Sequence, residues 1–339
     1  MGLLFLGFPV TNTLQAQEVQ ASISAAAQQM TPQQRQALLD GDVETARSIL
    51  EAAGVDFADA SQIGAAVGAI MAAALDAANT PVVPEQVQRV SAALLQVVVS
   101  IAGDRAVDAA AASRAAAAAA VSAGGNAAAQ SGTDVAQAVR AASQGVQTGA
   151  MIGAASAGLP LPMVARSASG GSATAAVNVA TQTGSDSSAV VQSASQGSAQ
   201  GAVIAAVATN TPIQQAVRAT ASGSSHGAAT AAAAAGQDPV VAVRSASQGS
   251  SQGAVAGAQE TGRSTVQANA AATSGSSQGA SQAASETGTS QAAMAQASAE
   301  GSQAGSGIAP QPSEPSSPPI INDDDLIVVS PEAGTSNPT

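Results

Sequence analysis

Small residues at helical spacing dominate the pattern of apolar and polar positions over residues 107–314. Alanine, serine and glycine make up most of this segment, and larger apolar residues return at helical spacing, as in Val203, Ile204 and Val207. The pattern has a period of 26 residues, the interval from Gly223 to Gly249. Cut at this interval, the segment divides into eight units, of which the last is decayed.

One glycine column closes each unit, and its exception tells what the position requires. The column reads Gly132, Gly158, Gly184, Asn210, Gly236, Gly262 and Gly288. Asparagine is the other residue that tolerates a positive φ angle, so the column predicts left-handed C-caps at helix ends.

Two further glycine columns lie near the middle of the unit, four residues apart. Their exceptions are alanines, as at Ala119, Ala123 and Ala175, and alanine is small and the best helix former. The columns therefore predict helix interiors in which smallness is required. A glycine pair at this spacing lets helix backbones approach closely, and we expect the next repeat to pack there. The predicted packing residues are Gly145, Gly149, Gly197, Gly201, Gly223, Gly227, Gly249, Gly253, Gly275 and Gly279.

Proline and aspartate mark the start of the units. Residues such as Pro212, Pro239 and Asp238 occur before the middle glycine, where proline is tolerated and aspartate caps free amides. The unit therefore predicts one helix of about 20–23 residues plus a short turn, and the chain an all-α repeat array or solenoid. Two alternatives remain: a β-arch or β-solenoid stack with strands such as "VRSASQ" and "AVAGAQ", and full disorder.

The unit "DPVVAVRSASQGSSQGAVAGAQETG" resembles Ala- and Gly-rich 26-residue helical repeats of uncharacterised bacterial proteins. The shared features are the D-P pair, A-V-R, G-x-x-x-G-A and the terminal glycine. This resemblance covers the array only. It implies a helical repeat and no activity.

The rest of the chain divides into three further segments. Residues 31–105 are richer in Leu, Ile and Val, and predict an N-terminal helical domain or cap, or degenerate copies of the same repeat. Residues 1–17 are read as a truncated signal peptide, because an apolar run precedes Ala16 without a basic region before it. Residues 306–339 are rich in Pro and Ser, and predict a disordered acidic tail. Within it, Asp323–Val329 is either a tail element without a partner or a docking peptide.

Charge and composition exclude several classes of partner. The net charge is −12, and all ten basic residues are arginines without a basic run, which argues against nucleic acid. No segment has the roughly 20 apolar residues of a spanning helix. Without cysteine and with a single histidine, His226, we expect no metal site and no cofactor.

One charged column recurs through the array, at the eighth position of the unit. It is expected to lie along one face, either as a solubilising charge over apolar neighbours or as an anion-binding ladder. Its members are Arg114, Arg140, Arg166, Arg218 and Arg244. No nucleophile, base or phosphate-binding loop accompanies it, so we predict no enzyme activity.

Two functions fit these expectations. The first is a non-enzymatic, exported structural or scaffold protein of the cell envelope or extracellular matrix, which self-associates or displays a surface. Its location would be periplasmic, cell-surface or secreted, or cytoplasmic if the region after Met1 is not a signal. The second is a surface-active coat that adsorbs to a hydrophobic inclusion, lipid or ice.

Overall fold

The computed structural model describes residues 21–76 and 80–307, and its secondary-structure elements in these ranges are all helices. The all-α prediction is therefore confirmed, and the β-arch alternative is not supported. Over the described ranges, no helix combines the length and apolar character needed to cross a membrane. The helices are α1 (21–28), α2 (Pro32–Leu39), α3 (Val43–Ala52), α4 (Ala60–Leu75), α5 (Pro84–Asp104), α6 (Ala109–Ser131), α7 (Val135–Ser156), α8 (Leu161–Thr183), α9 (Ser187–Ala208), α10 (Ile213–Ala234), α11 (Pro239–Glu260), α12 (Thr265–Thr287) and α13 (Gln291–Ser306).

Aspartate caps begin four of the repeat helices, as the sequence predicts. The carboxylate of Asp134 accepts the N–H groups of Ala136 and Gln137, Asp108 likewise accepts two, and Asp186 and Asp238 accept one each at their own helices. By contrast, α8 and α10 begin at Pro160 and Pro212 without a side-chain cap. The two kinds of start alternate from α7 to α11.

A left-handed residue ends each repeat helix. The closing column has φ angles of 66° to 70° at its glycines, and Asn210 has 53°. Next to Asn210, the N–H of Thr211 donates to the carbonyl of Ala206, five residues earlier, which is the 6→1 hydrogen bond of a Schellman motif. The predicted C-caps are confirmed. Ala106, 26 residues before Gly132, has a φ of 53° as well, so the column also accepts alanine at a steric cost.

The helices form two layers. Each repeat helix packs most extensively on the helix two places along the chain and less on its sequence neighbours. We call α4, α6, α8, α10 and α12 the even layer, and α5, α7, α9, α11 and α13 the odd layer. Short turns reverse the chain direction between layers, so helices within one layer are parallel. As a result, odd helices end where even helices begin.

The middle glycines pack against the helix two units earlier, not against the next repeat, so that expectation is wrong. A Cβ added at Gly249 or Gly253 would lie closer than 3.0 Å to the carbonyl oxygen of Gln192 or Gln196 in α9. All ten glycines predicted as packing residues meet a carbonyl oxygen of the helix two places back in this way. Their Cα hydrogens therefore point at these oxygens, the arrangement of a Cα–H···O contact.

The interior of the array is built from small side chains, several of them polar. Alanines and valines such as Val203 and Val243 are fully buried. A serine column lies among them, with hydroxyls that have no hydrogen-bond partner in the described chain: Ser172, Ser198, Ser224, Ser250, Ser276 and Ser302. Leaving such a group unpaired costs about 1–3 kcal/mol. Small volume alone does not explain this column, because alanine is smaller and has no hydroxyl to leave unpaired.

Larger side chains fill the N-terminal helices, as the sequence predicts for residues 31–105. Ile70, Leu94 and Leu95 are fully buried, and the guanidinium of Arg105 lies 5.0 Å from the ring centre of Phe57. The layers continue into this segment, because a Cβ on Gly145 would also meet a carbonyl of α5, that of Gln88. In packing, α5 therefore takes the place of a further repeat.

Two predicted segments lie outside the described residues. These are the signal peptide at 1–17 and, from residue 308 on, the disordered acidic tail predicted for 306–339, which includes the element Asp323–Val329. Both remain sequence predictions.

Candidate anion-binding groove on the even layer

The arginine column does not follow one face of the array. Arg140 and Arg244 belong to α7 and α11 in the odd layer, while Arg114, Arg166 and Arg218 belong to the even layer. A period of one helix per unit places successive units in opposite layers. The expected single ladder is thus divided into two sets with different surroundings.

The odd-layer arginines are matched by acceptors within the array. The guanidinium of Arg140 donates to the Oε1 of Gln200 at 2.9 Å, and Gln200 in turn donates to Glu260 at 2.9 Å. Arg244 forms a salt bridge of 2.7 Å with Glu300. These side chains cross from one helix to the next in the layer, so they tie the layer together.

The even-layer arginines differ among themselves. Arg166 in α8 donates to the side chain of Gln282 in α12, two helices along the same layer, and Gln282 in turn donates to Glu286. The charge of Arg114 in α6 helps to lower the pKa of Glu286. Arg218 has no hydrogen bond or ion pair within the described chain.

A groove of about 690 Å³ crosses α8, α10 and α12 on the even layer. Arg166 and Arg218 lie in it together, beside Met163, whose exposed fraction is 46%. The other described lining residues are Pro162, Ser167, Pro212, Gln214, Gln215, Ala219, Ser222 and Gln278. No aspartate or glutamate is among them. The groove therefore concentrates positive charge on a protein with a net charge of −12.

One further feature favours a negative occupant. At this end α8 and α10 begin without a side-chain cap. Free N–H groups at helix starts carry partial positive charge, which adds to that of the two guanidinium groups. Ser222 borders the groove, but its hydroxyl is buried from solvent.

The corresponding groove on the odd layer is smaller and contains a carboxylate. It has a volume of about 280 Å³ and is lined by Arg140 together with Glu85. The negative charge of Glu85 offsets that of the arginine. The two layers therefore differ in electrostatics although they carry the same column.

No protein-family model and no curated protein matches this chain. The function must therefore be argued from the site itself. Among the described residues, no three His, Cys, Asp or Glu side chains lie close enough together to hold a metal ion.

His226 takes part in a contact that sequence reasoning missed. It is 8% exposed, and its Nε2 lies 2.8 Å from a carboxylate oxygen of Glu286. This hydrogen bond, assisted by Gln282 and Arg114, holds the pKa of Glu286 below its usual range. The same spacing of 60 residues joins Arg140 to Gln200. It becomes recognisable only once parallel packing of every second helix is known.

Proposed function

We propose that this chain is a non-enzymatic structural scaffold of the cell envelope or extracellular matrix, with the solenoid as a spacer and binding surface. The supporting observation is the repeated close packing of helix glycines against backbone carbonyl groups, as at Gly197 against Arg140 and Gly249 against Gln192. These contacts recur at the same positions of the unit in the helices from α5 to α13. Nearly all of the array is thus committed to packing, and its candidate binding feature is an open surface groove.

The distribution of exposed apolar side chains favours a scaffold over a surface-active coat. The large hydrophobic residues with high exposure in the described chain are Val83, Met163, Val241 and Val266. They are distributed over both layers, in α8, α11 and α12, and the residue preceding α5. Adsorption to lipid or an inclusion requires a contiguous apolar patch, and four large exposed side chains supply little area for one.

The test is the location of the native protein in the organism that produces it. Antibody detection after fractionation, together with protease treatment of intact cells, should place the chain outside the cytoplasmic membrane. A cytosolic enzyme detected in the same fractions serves as the control for lysis. Quantitative recovery with that enzyme, protected from protease until the cells are broken, contradicts the proposal.

A further inference from the structure

The groove on the even layer has the chemistry of a receptor for an acidic peptide. Two arginines, Arg166 and Arg218, flank it without an opposing carboxylate among the described lining residues. Met163, Pro162 and Ala219 supply apolar surface beside them. An occupant that matches this lining carries clustered carboxylates next to aliphatic side chains.

The chain itself contains one segment with this chemistry. Three aspartates, Asp323–Asp325, stand between Ile320–Ile321 and the aliphatic run Leu326–Val329. In the remaining acidic positions of the sequence, three consecutive carboxylates do not recur. The segment thus has both parts of the required complement, negative charge and aliphatic surface.

The placement of α13 also supports this occupant. Odd helices end where even helices begin, so α13 ends on the side of the array where α8, α10 and α12 start. Asp323 lies sixteen residue steps beyond Gly307 (323 − 307), with fifteen residues between them. At about 3.3 Å per residue, an extended chain of this length reaches roughly 50 Å, enough to bridge to a neighbouring molecule.

We propose that the groove of one molecule binds the Asp323–Val329 segment of a second copy of this chain. The arginines contact the carboxylates, and Met163 packs against the aliphatic side chains. The proposal deepens the scaffold function, because repeated binding of this kind links molecules head to tail. It can fail independently, since it is tested on purified protein, whereas the scaffold proposal is tested by cellular location.

The first experiment measures binding of a fluorescent peptide that spans residues 320–331. The receptor is the full chain with Asp323→Asn, Asp324→Asn and Asp325→Asn, so that its own segment does not compete. We expect saturable binding that weakens as salt is raised and falls at least tenfold in an added Arg166→Gln, Arg218→Gln background. Circular dichroism confirms that each variant keeps its helix content.

Matched controls separate the groove from general charge. Arg140→Gln with Arg244→Gln removes the same two charges from the odd layer and should leave peptide affinity unchanged. A peptide with asparagine in place of its three aspartates should not bind. Equal affinity for the even-layer variant, or for the asparagine peptide, overturns the proposal.

The second experiment decides whether the occupant comes from another copy. Sedimentation of the full wild-type chain over increasing concentration should show association that high salt reverses. The association should be absent in Arg166→Gln, Arg218→Gln and in the triple asparagine variant. If the wild-type chain stays monomeric although the peptide binds the triple asparagine variant, the occupant of the groove does not come from a second copy, and this part of the proposal is wrong.

Discussion

The same residue type has two separate roles in this chain, and the surroundings of each glycine decide which one applies. Gly262 ends a helix with a φ of 66°, and an added Cβ there would meet nothing within 4 Å. Gly249 lies in a helix, and an added Cβ would meet the carbonyl of Gln192. The first position demands a backbone conformation and the second demands space. The sequence separates them because one column accepts asparagine and the other alanine.

Gly249→Ala is expected to destabilise the fold although alanine is the better helix former. The gain in helix propensity is about 1 kcal/mol, but the methyl group would force α9 and α11 apart. We expect the free energy of unfolding to fall by about 1–3 kcal/mol, measured by chemical denaturation. Gly68→Ala is the matched control, because its Cβ would lie 3.7 Å from that of Ala119, an ordinary contact. The control should be neutral or stabilising, and equal losses in both variants would contradict the close-packing argument.

At the scale of single helices, start and end are set by local chemistry. The cap of Asp134 and the left-handed Gly132 before it lie within a few residues of the atoms they bond. Such contacts can be derived from sequence because they require no knowledge of the tertiary fold. The exception is Ala106, where the repeat geometry imposes a positive φ angle on an unfavourable residue.

Ala106→Gly is expected to stabilise the protein. Alanine loses about 1–2 kcal/mol in the left-handed region, and part of this gain is offset by the greater freedom of glycine in the unfolded chain. We expect a net gain of about 1 kcal/mol in thermal or chemical unfolding. Asn210→Gly, in the same column, should gain less, because asparagine tolerates this conformation. A loss of stability in Ala106→Gly would show that its methyl group contributes packing.

The α10–α12 pair is expected to depend on pH through Glu286. The hydrogen bond from His226 lowers the pKa of Glu286, so its contribution is present above the ordinary carboxyl pKa and is lost as pH falls through the lowered value. The side chain of Glu286 is 48% exposed, so we expect less than about 1 kcal/mol. Glu286→Gln should reduce the free energy of unfolding at pH 7, and this effect should shrink as the pH is lowered below the ordinary carboxyl range.

A double-mutant cycle assigns this effect to the contact. His226→Gln introduces the residue found at the equivalent positions 200 and 252. In that background, Glu286→Gln should cost less at pH 7 than in the wild type. An unchanged cost would place the origin of the effect elsewhere than in His226.

At the scale of the whole molecule, the array consists of two layers, and the helices within each layer are parallel and packed in a fixed register. Each glycine contact repeats two units later, as Gly197 with Arg140 and Gly249 with Gln192 show. Stability is therefore expected to be a sum of repeat and interface terms. Any change that preserves this register should leave the architecture intact.

Removal of 52 residues, 198–249 (249 − 198 + 1), should yield a folded, shorter array. It joins the first half of α9 to the second half of α11 in register. Removal of 50 residues, 198–247, is the matched control, because it rotates the second half by roughly 200° about the helix axis. We expect cooperative unfolding and unchanged helix content per residue only for the 52-residue deletion. Similar behaviour of both proteins would contradict the requirement for register.

The sequence by itself determined the period, the length of the helices, most of their caps and the two kinds of glycine column. These features depend on backbone conformation and local hydrogen bonds, which are encoded within one unit. Only the tertiary structure decided that Gly249 meets α9, that the arginines divide between layers, and that Arg166 and Arg218 share a groove. The reason is physical: successive helices reverse direction and alternate between the layers, so the nearest partner of each helix lies two units away and residues far apart in the chain meet within one layer.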